Sequence, residues 1–181
     1  AFVRAMLPAD KARIGSFAEK IQIDPENFTS DKNELVQVIR TKLQEQGPTP
    51  LWNSVDASIA TLKSQEGRKV VLVFTDGEAH DSLDDALVAA RALARQGITL
   101  ILVAEGGTEP ARIPIRDQNG ALLEYKLDEN GEVIRTRRGD DALRSIAEAA
   151  KGSIVASELP DQAGAARELV ASLRRSASRE S

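Results

Sequence analysis

The chain has 181 residues, 41% of them hydrophobic, which fits one soluble globular domain with a sizeable core. Its 24 basic and 28 acidic residues give a net charge of −4, and no stretch combines Lys and Arg with aromatic residues, so no nucleic-acid surface is predicted. Zero Cys residues exclude disulfides and thiolate metal sites. The longest apolar runs, 70–74 and 98–104, are far shorter than the roughly 20 residues of a membrane span. Membrane attachment is therefore expected only through segments outside this chain.

The first part of the chain alternates short strands and amphipathic helices. The loose alternation of residues 11–23 predicts two short strands that turn back on each other. Ser30 is the expected N-cap of a helix that ends near Gly47. The predicted apolar face of this helix carries Leu35, Ile39 and Leu43.

A strand–helix–strand rhythm follows. After a loop at 47–50, a helix is predicted from the apolar positions Leu51, Val55, Ile59 and Leu62. Residues 70–74 are apolar on both faces, as in a central parallel strand. Ser82 and Asp85 form a capping-box-like start of the next helix, and Gly97 ends it before the strand 98–104. The predicted apolar face of the helix that begins after Ser82 carries Leu83, Leu87, Ala90 and Ala94. This alternation predicts an α/β fold with a parallel sheet covered by helices.

Residues 112–138 interrupt that rhythm. Asp117-Gln118-Asn119-Gly120 and Asp128-Glu129-Asn130-Gly131 are turn signals, so a three-stranded β-meander insertion is predicted here. They are not calcium loops, because Lys126 and Arg137 occupy the position of the required Glu. We expect this insertion to project from the fold, to be dispensable for folding and to carry a partner-binding surface.

The remaining residues complete the domain. A helix with Leu143, Ile146, Ala147 and Ala150 on its apolar face is predicted to close at Gly152. A strand at 154–156 and a final helix at 161–174 follow, so residues 1–174 are interpreted as one domain and 175–181 as a tail.

Two oxygen-bearing side chains stand at element boundaries. Thr49 precedes a helix and Asp76 follows the strand 70–74. Ligands of parallel α/β sheets bind at the carboxyl ends of the strands, so the two side chains are expected to converge there. A hydroxyl and a carboxylate suit Mg²⁺ or Mn²⁺. Three other interpretations stay open: Thr49 as an N-cap, Asp76 as a turn former, and Asp76 as the nucleophile or Mg²⁺ ligand of a phosphoryl-transfer enzyme.

The polar residues near Asp76 have simpler interpretations. The acidic cluster is Glu78, Asp81, Asp84 and Asp85. Asp84 and Asp85 fall in a first helical turn, where carboxylates offset the helix dipole. His80 is the one histidine and is expected to be an exposed loop residue, since zinc sites need further His or Cys ligands. Trp52 is expected to pack at the start of its helix.

These motifs resemble the von Willebrand factor A (VWA) family. The loop Gly47-Pro48-Thr49-Pro50-Leu51-Trp52 is similar to the Thr-containing loop of the family's metal-ion-dependent adhesion site (MIDAS), and Asp76 matches its Asp at the end of the fourth strand. The first motif of that site, Asp-x-Ser-x-Ser, does not occur in the 181 residues. Residues 1–7 resemble the second half of the helix that follows this motif in the family, so a helical stub is expected there. The insertion with Ile113-Pro114-Ile115-Arg116-Asp117 resembles bacterial aerotolerance-type VWA proteins, while the Thr49 loop is also similar to secreted bacterial VWA-related proteins.

The resemblance implies a Rossmann-like VWA fold and a protein-interaction module that is not an enzyme. Thr49 and Asp76 would be metal ligands, and an Asp or Glu of the partner would complete the coordination of Mg²⁺. Implied partners are other VWA proteins or a MoxR-type ATPase. The implied location is the bacterial cell envelope, on the periplasmic or secreted side, with the cytoplasm as the alternative. A structural VWA domain with a vestigial metal site is a further alternative.

The resemblance also implies a central first strand upstream of Ala1, so we expect either a longer polypeptide or another segment in that place. One hydroxyl and one carboxylate are too few protein ligands to capture Mg²⁺ firmly, because this ion dehydrates reluctantly. Calorimetric titration should therefore detect weak or no Mg²⁺ binding by residues 1–181 and binding through Thr49 and Asp76 once the upstream strand is supplied. Tight binding by residues 1–181 alone would contradict this account.

Overall fold

The structure is a computed structural model that describes residues 2–17, 20–43, 51–77, 82–117, 119–155, 164–165 and 167–171. The helices are α1 (Phe2–Ala5), α2 (Lys32–Thr41), α3 (Leu51–Leu62), α4 (Leu83–Arg95) and α5 (Asp140–Ala150). The strands are β1 (Ala12–Phe17), β2 (Ile21–Thr29), β3 (Lys69–Thr75), β4 (Ile98–Ala104), β5 (Ala111–Arg112), β6 (Pro114–Arg116), β7 (Leu122–Tyr125), β8 (Arg135–Thr136) and β9 (Ser153–Val155). Residues 164–165 and 167–171 are also helical.

A parallel sheet in the order β3-β4-β9 forms the centre of the fold. Alternate residues of β4 enter two apolar layers, as the twofold period of a strand requires. Leu100 and Leu102 join a core with residues of α3, α4 and α5, while Ile101 and Val103 pack with Val155 on the other face. That second layer is covered by Phe2, Ala165, Leu169 and Val170. The predicted α/β fold with a helix-flanked parallel sheet is confirmed.

Among the described strands, β3 lies at the edge of its sheet, although its apolar sequence predicts a central strand. Within the described residues it pairs only with β4, from Lys69 opposite Ile98 to Thr75 opposite Ala104. Phe74 is consequently 53% exposed, although Val71 and Val73 are buried. The predicted hairpin β1–β2 forms a separate antiparallel ladder. Helix α3 packs against both β1 and β3, but no ladder joins these two strands in the described parts of the chain.

The structure corrects the prediction for α2. Its N-cap is Asp31 rather than Ser30, because the Asp31 Oδ1 accepts hydrogen bonds from the backbone N–H groups of Asn33 and Glu34 at 2.8 and 3.3 Å. The helix ends at Thr41, and Gly47 lies outside the described residues. Leu35 and Val38 are buried, whereas two of the predicted face residues, Ile39 and Leu43, are 41% and 42% exposed. The sequence period alone did not identify which side of this short helix meets β1 and β2.

Helix α4 begins as predicted, and its buried face matches the expected one only in part, at Ala90 and the partly buried Leu87. The Ser82 Oγ accepts a hydrogen bond from the Asp85 N–H at 3.1 Å, which confirms the cap, and Gly97 takes a φ of +64° after the helix ends. Leu83 is 47% exposed. The buried residues are Ala86, Ala89, Ala90 and Leu93, so mostly small side chains meet the sheet and let the helix approach it closely.

Helix α5 buries its predicted residues Leu143, Ile146, Ala147 and Ala150. Its left-handed terminal residue is Lys151, with a φ of +51°, and the Gly152 N–H bonds the Ala147 carbonyl at 2.8 Å. A Cβ at Gly152 would lie 2.5 Å from the Leu100 carbonyl oxygen. Glycine is required at 152 because the backbone passes so close to β4, not because the helix ends there.

Residues 111–136 form a projection that we call the arm. Two separate ladders, β5–β8 and β6–β7, replace the predicted three-stranded meander, and an isolated bridge joins Leu127 to Val133. Both predicted turns are confirmed. The Asp117 Oδ1 accepts from the backbone N–H groups of Asn119 and Ala121, and the Asp128 Oδ1 does so from Asn130 and Glu132. The arm is thus ordered by its own local hydrogen bonds.

Within the described ranges, no helix combines the length and the apolar composition that crossing a membrane requires. Seven of the 14 residues of the predicted helix 161–174 are described, and all seven are helical, whereas the predicted tail 175–181 lies outside the described ranges.

The arm contributes no described residue to either apolar core, since the core residues of this region stop at Ala104 and resume at Ala142. Replacing residues 114–135 with a Gly/Ser linker of similar length should therefore leave the thermal unfolding midpoint within about 3 °C of the parent value. Differential scanning calorimetry measures this. A loss of the cooperative transition would show that the arm is part of the folding unit.

Candidate functional site

Asp76 directly follows β3, at the carboxyl edge of the parallel sheet. Thr75, the last residue of β3, pairs with Ala104 at the end of β4, so both strands finish at the same level. The Thr75 carbonyl accepts a hydrogen bond from the Glu105 N–H at 2.8 Å, and the Thr75 Oγ1 accepts one from the Gly77 N–H at 3.0 Å. These bonds determine the direction in which the chain leaves the sheet, and they leave Asp76 half-buried.

Glycines on two neighbouring loops allow the backbone to pack closely around Asp76. The Gly139 N–H donates to the Asp76 carbonyl at 2.8 Å, which ties the start of α5 to the end of β3. Gly77 has a φ of +79°, and a Cβ there would lie 2.9 Å from the Leu143 Cγ. A Cβ at Gly106 would lie 3.8 Å from the Asp76 Cβ. The position of Asp76 is therefore determined by three chain segments at once.

Arg138 is the main side-chain link between these segments, and sequence reasoning missed it. It is 7% exposed, and its Nε and Nη2 bond both carboxylate oxygens of Asp140, with Nη2 at 3.1 Å from Oδ2. Its backbone N–H donates to the Gly107 carbonyl at 2.8 Å, and its Nη1 donates to the Gly106 carbonyl at 3.4 Å. No signal in the sequence distinguishes it from the exposed Arg137, because burial here depends on tertiary packing.

A surface cavity of about 340 Å³ opens beside this link. It is lined by Thr108, Arg137, Arg138, Gly139, Asp140, Asp141 and Ala142. The Arg138 guanidinium, through its hydrogen bonds to Asp140, holds the pKa of that carboxyl below its ordinary value of 3.8. The cavity is therefore lined by the ionised Asp140 carboxylate and by Arg138, and it lies next to the loop that carries Asp76.

The predicted site residues have different outcomes. Thr49 lies outside the described residues, so its convergence with Asp76 stays a prediction. Glu78, His80 and Asp81 also lie outside them, whereas Asp84 and Asp85 occupy the first turn of α4 as predicted. Trp52 is a packing residue, as expected, with 4% exposure.

Asp76 suits a hard divalent cation, because it brings a carboxylate oxygen to the edge of the sheet where ligands bind. No group of three or more acidic or His side chains able to hold a metal occurs among the described residues. Asp76 is therefore the candidate ligand among the described residues, and one carboxylate is too few to hold Mg²⁺ alone.

The comparison with protein families agrees with this fold. The model of the von Willebrand factor type A domain matches residues 14–115, more than half of the chain, and the chain belongs to this family. No match is found among curated proteins.

Solved structures show the same fold. BatB from Bacteroides thetaiotaomicron, described as a conserved hypothetical protein, is 26% identical with a TM-score of 0.82, over 96% of this chain and 83% of that one. An aerotolerance-related membrane protein from Bacteroides fragilis is 24% identical with a TM-score of 0.79, over 94% and 81%. The predicted resemblance to the VWA family is confirmed, and both of these structures share its fold.

The ion pair at the base of the cavity should make stability depend on pH. Because the pKa of Asp140 is lower in the folded state than in the unfolded chain, the pair stabilises the fold above the ordinary pKa of 3.8, and this contribution is lost as the pH falls below it. Asp140→Asn should therefore lower the unfolding midpoint near neutral pH and flatten its fall as the pH is lowered from neutral through the ordinary pKa of 3.8.

Thermal unfolding followed by circular dichroism across this range measures the effect. The control is Asp141→Asn, whose side chain is fully exposed and bonds only Arg144 at 3.3 Å in the described structure. Parallel pH profiles for Asp140→Asn and the parent protein would rule out a folded-state role of the Arg138–Asp140 pair.

Proposed function

We propose that the chain is a metal-dependent protein–protein interaction module in which Thr49 and Asp76 are ligands of Mg²⁺ or Mn²⁺ and a partner's Asp or Glu completes the coordination. The observation that carries this proposal is the placement of Asp76 at the carboxyl edge of the sheet in a chain of the VWA family. VWA domains generally mediate protein–protein interaction and are generally not enzymes, which favours recognition over turnover.

The backbone around Asp76 suits recognition. The Asp76 carbonyl accepts a hydrogen bond from the Gly139 N–H, and the loops at Gly77 and Gly106 pack closely around this residue. The main chain that carries the Asp76 carboxylate is therefore held in one position. A fixed main chain reduces the entropy lost when a partner binds. A bound cation supplies positive charge and an open position for an anionic oxygen. Asp76 itself would orient that cation from the sheet edge.

The location and the partners are proposed on weaker similarity. The Bacteroides fragilis neighbour is described as a membrane protein, which supports a place in the bacterial cell envelope, on the periplasmic or secreted side. Other VWA proteins or a MoxR-type ATPase remain the proposed partners. Both would have to present an Asp or Glu at an exposed position.

The proposal predicts that partner binding requires both the metal and Asp76. Surface plasmon resonance against a VWA protein or a MoxR-type ATPase from the same organism should show binding in Mg²⁺ that weakens at least about tenfold in EDTA. Asp76→Ala should weaken binding in Mg²⁺ to the same extent. Asp84→Asn is the matched control, because Asp84 is an exposed carboxylate in the first turn of α4 and should leave the affinity within about twofold.

Two outcomes would favour the alternatives. Equal affinity in Mg²⁺ and in EDTA would indicate a structural domain with a vestigial metal site. Turnover of a phosphate ester that is lost in Asp76→Ala would indicate a phosphoryl-transfer enzyme.

A further inference from the structure

Three cross-strand pairs of the arm share one side. The pairs are Arg112 with Arg135, Pro114 with Tyr125, and Leu127 with Val133. Tyr125 and Leu127 are two positions apart along the chain, so they point to one side together with the residues opposite them, Pro114 and Val133. The Arg112 guanidinium reaches the Tyr125 ring from the neighbouring ladder, and Arg135 lies opposite Arg112. We call these six residues the arm face. It combines two cations, an aromatic ring and apolar side chains, and it contains no acidic residue.

The arm face carries an unneutralised pair of cations. Arg112 and Arg135 are both exposed, and neither forms an ion pair with any carboxylate in the described parts of the chain. Like charges directly opposite each other destabilise a ladder, so this pair costs stability unless an anion lies beside it. The Arg112 guanidinium carbon lies 5.3 Å from the centroid of the Tyr125 ring, a cation–π contact that helps to hold it in place. Two guanidinium groups at opposite positions of a ladder suit a carboxylate.

An exposed apolar pair lies beside these cations. Leu127 and Val133 face each other and are 50% and 41% exposed. Neither belongs to an apolar core. Exposed apolar side chains that are grouped together and bordered by charge are typical of binding surfaces. The arm face therefore offers an apolar contact next to a site for anionic oxygens.

Four of the five acidic residues of the arm lie elsewhere, and the fifth, Glu129, is in the turn 128–131. Glu124 is opposite Ile115, and Glu132 is adjacent to Val133, so the alternation of the strands places both on the reverse side. Asp117 and Asp128 accept the backbone N–H groups of their turns. Residues 111–136 include four basic and five acidic residues, so the arm as a whole does not attract an anionic membrane. A narrow acidic segment of a protein can contact the arm face without approaching the acidic residues on the reverse side. This favours a protein partner over a membrane.

We infer that the arm face binds an acidic segment of a partner protein, with a carboxylate between Arg112 and Arg135 and an apolar side chain against Leu127 and Val133. This inference rests on the proposed function, since it names the chemistry of the partner of an interaction module. It uses no metal ligand. Binding at the arm face is therefore independent of Mg²⁺ and of Asp76, and the two proposals can fail separately.

Fluorescence anisotropy with short labelled peptides tests this inference on the full chain in EDTA. The probe peptide alternates Glu and Leu, and the comparison peptides alternate Lys with Leu and Glu with Ser. Only the Glu/Leu peptide should bind with saturation, because it alone supplies both carboxylates and apolar side chains. Asp76→Ala should leave its Kd unchanged. Vesicles that contain phosphatidylglycerol should not compete with the peptide.

Paired variants separate the two sides of the arm. Arg135→Glu should weaken binding of the Glu/Leu peptide at least about tenfold, whereas Lys126→Glu, the same charge change on the reverse side, should have an effect below about threefold. Leu127→Ser should weaken binding about fivefold, and Ile115→Ser should leave it within about twofold. Unfolding midpoints equal to that of the parent protein would confirm that all four variants fold.

Several results would overturn the inference. These are absence of saturable peptide binding, equal losses from variants on the two sides, equal binding of the Lys/Leu peptide, or displacement of the peptide by the anionic vesicles. Loss of peptide binding in Asp76→Ala would place the contact at the sheet edge instead of the arm. Failure of the Mg²⁺-dependent interaction with intact binding at the arm face would overturn only the metal part of the proposed function.

Discussion

Every residue of β4 except Thr99 is buried, so both faces of this strand must be covered by other elements. A parallel strand cannot reach this state with one helical layer, because its side chains alternate between two sides. Helices α3, α4 and α5 cover one side, while Phe2 and the helical residues near Leu169 cover the other. The need to cover both faces of β4 also determines where its two partners, β3 and β9, lie. The site at the sheet edge and the arm are arranged around these two buried apolar layers.

The site at the sheet edge follows from that buried layer. Since β3 and β4 are in register to their last residues, the chain leaves both strands at one level and Asp76 is placed beside the loop at Gly106. The start of α5 is then bonded to Asp76 through Gly139 and to the loop through Arg138. A buried guanidinium bonded to a carboxylate is costly to disrupt, because removing one partner leaves the other unpaired. The position of Asp76 thus depends on contacts distant in sequence.

The arm has the opposite physical character. It is held by local turns and short ladders, and its large side chains are mostly exposed, so little of its free energy derives from burial. Recognition surfaces are often carried by such segments because changes in them do not disturb the core. Stability therefore resides in the apolar layers around β4, whereas the arm face, which is apolar and basic, lies outside those layers. The sheet edge lies where these two regions meet, at Arg138 and Gly139.

Local chemistry in the sequence was sufficient for several features. The apolar runs identified β3 and β4, the Ser82 cap and the Asp117 and Asp128 turns formed as predicted, and α5 buried its four expected residues. Each of these depends on residues within a few positions of one another. The Thr49 and Asp76 motifs identified the family, but their convergence involves residues outside the described ranges and remains a prediction.

Tertiary structure alone decided which face of a helix is buried, where strands pair and which charge is enclosed. Helices α2 and α4 each have apolar residues on more than one side, so only the position of the neighbouring strands selected Val38 over Ile39 and Ala86 over Leu83. The pairing of β5 with β8 and the burial of Arg138 involve residues far apart in the chain. Sequence periodicity reports the local conformation of a segment. It does not report the distance between segments, and that distance determines burial, pairing and the geometry of the site.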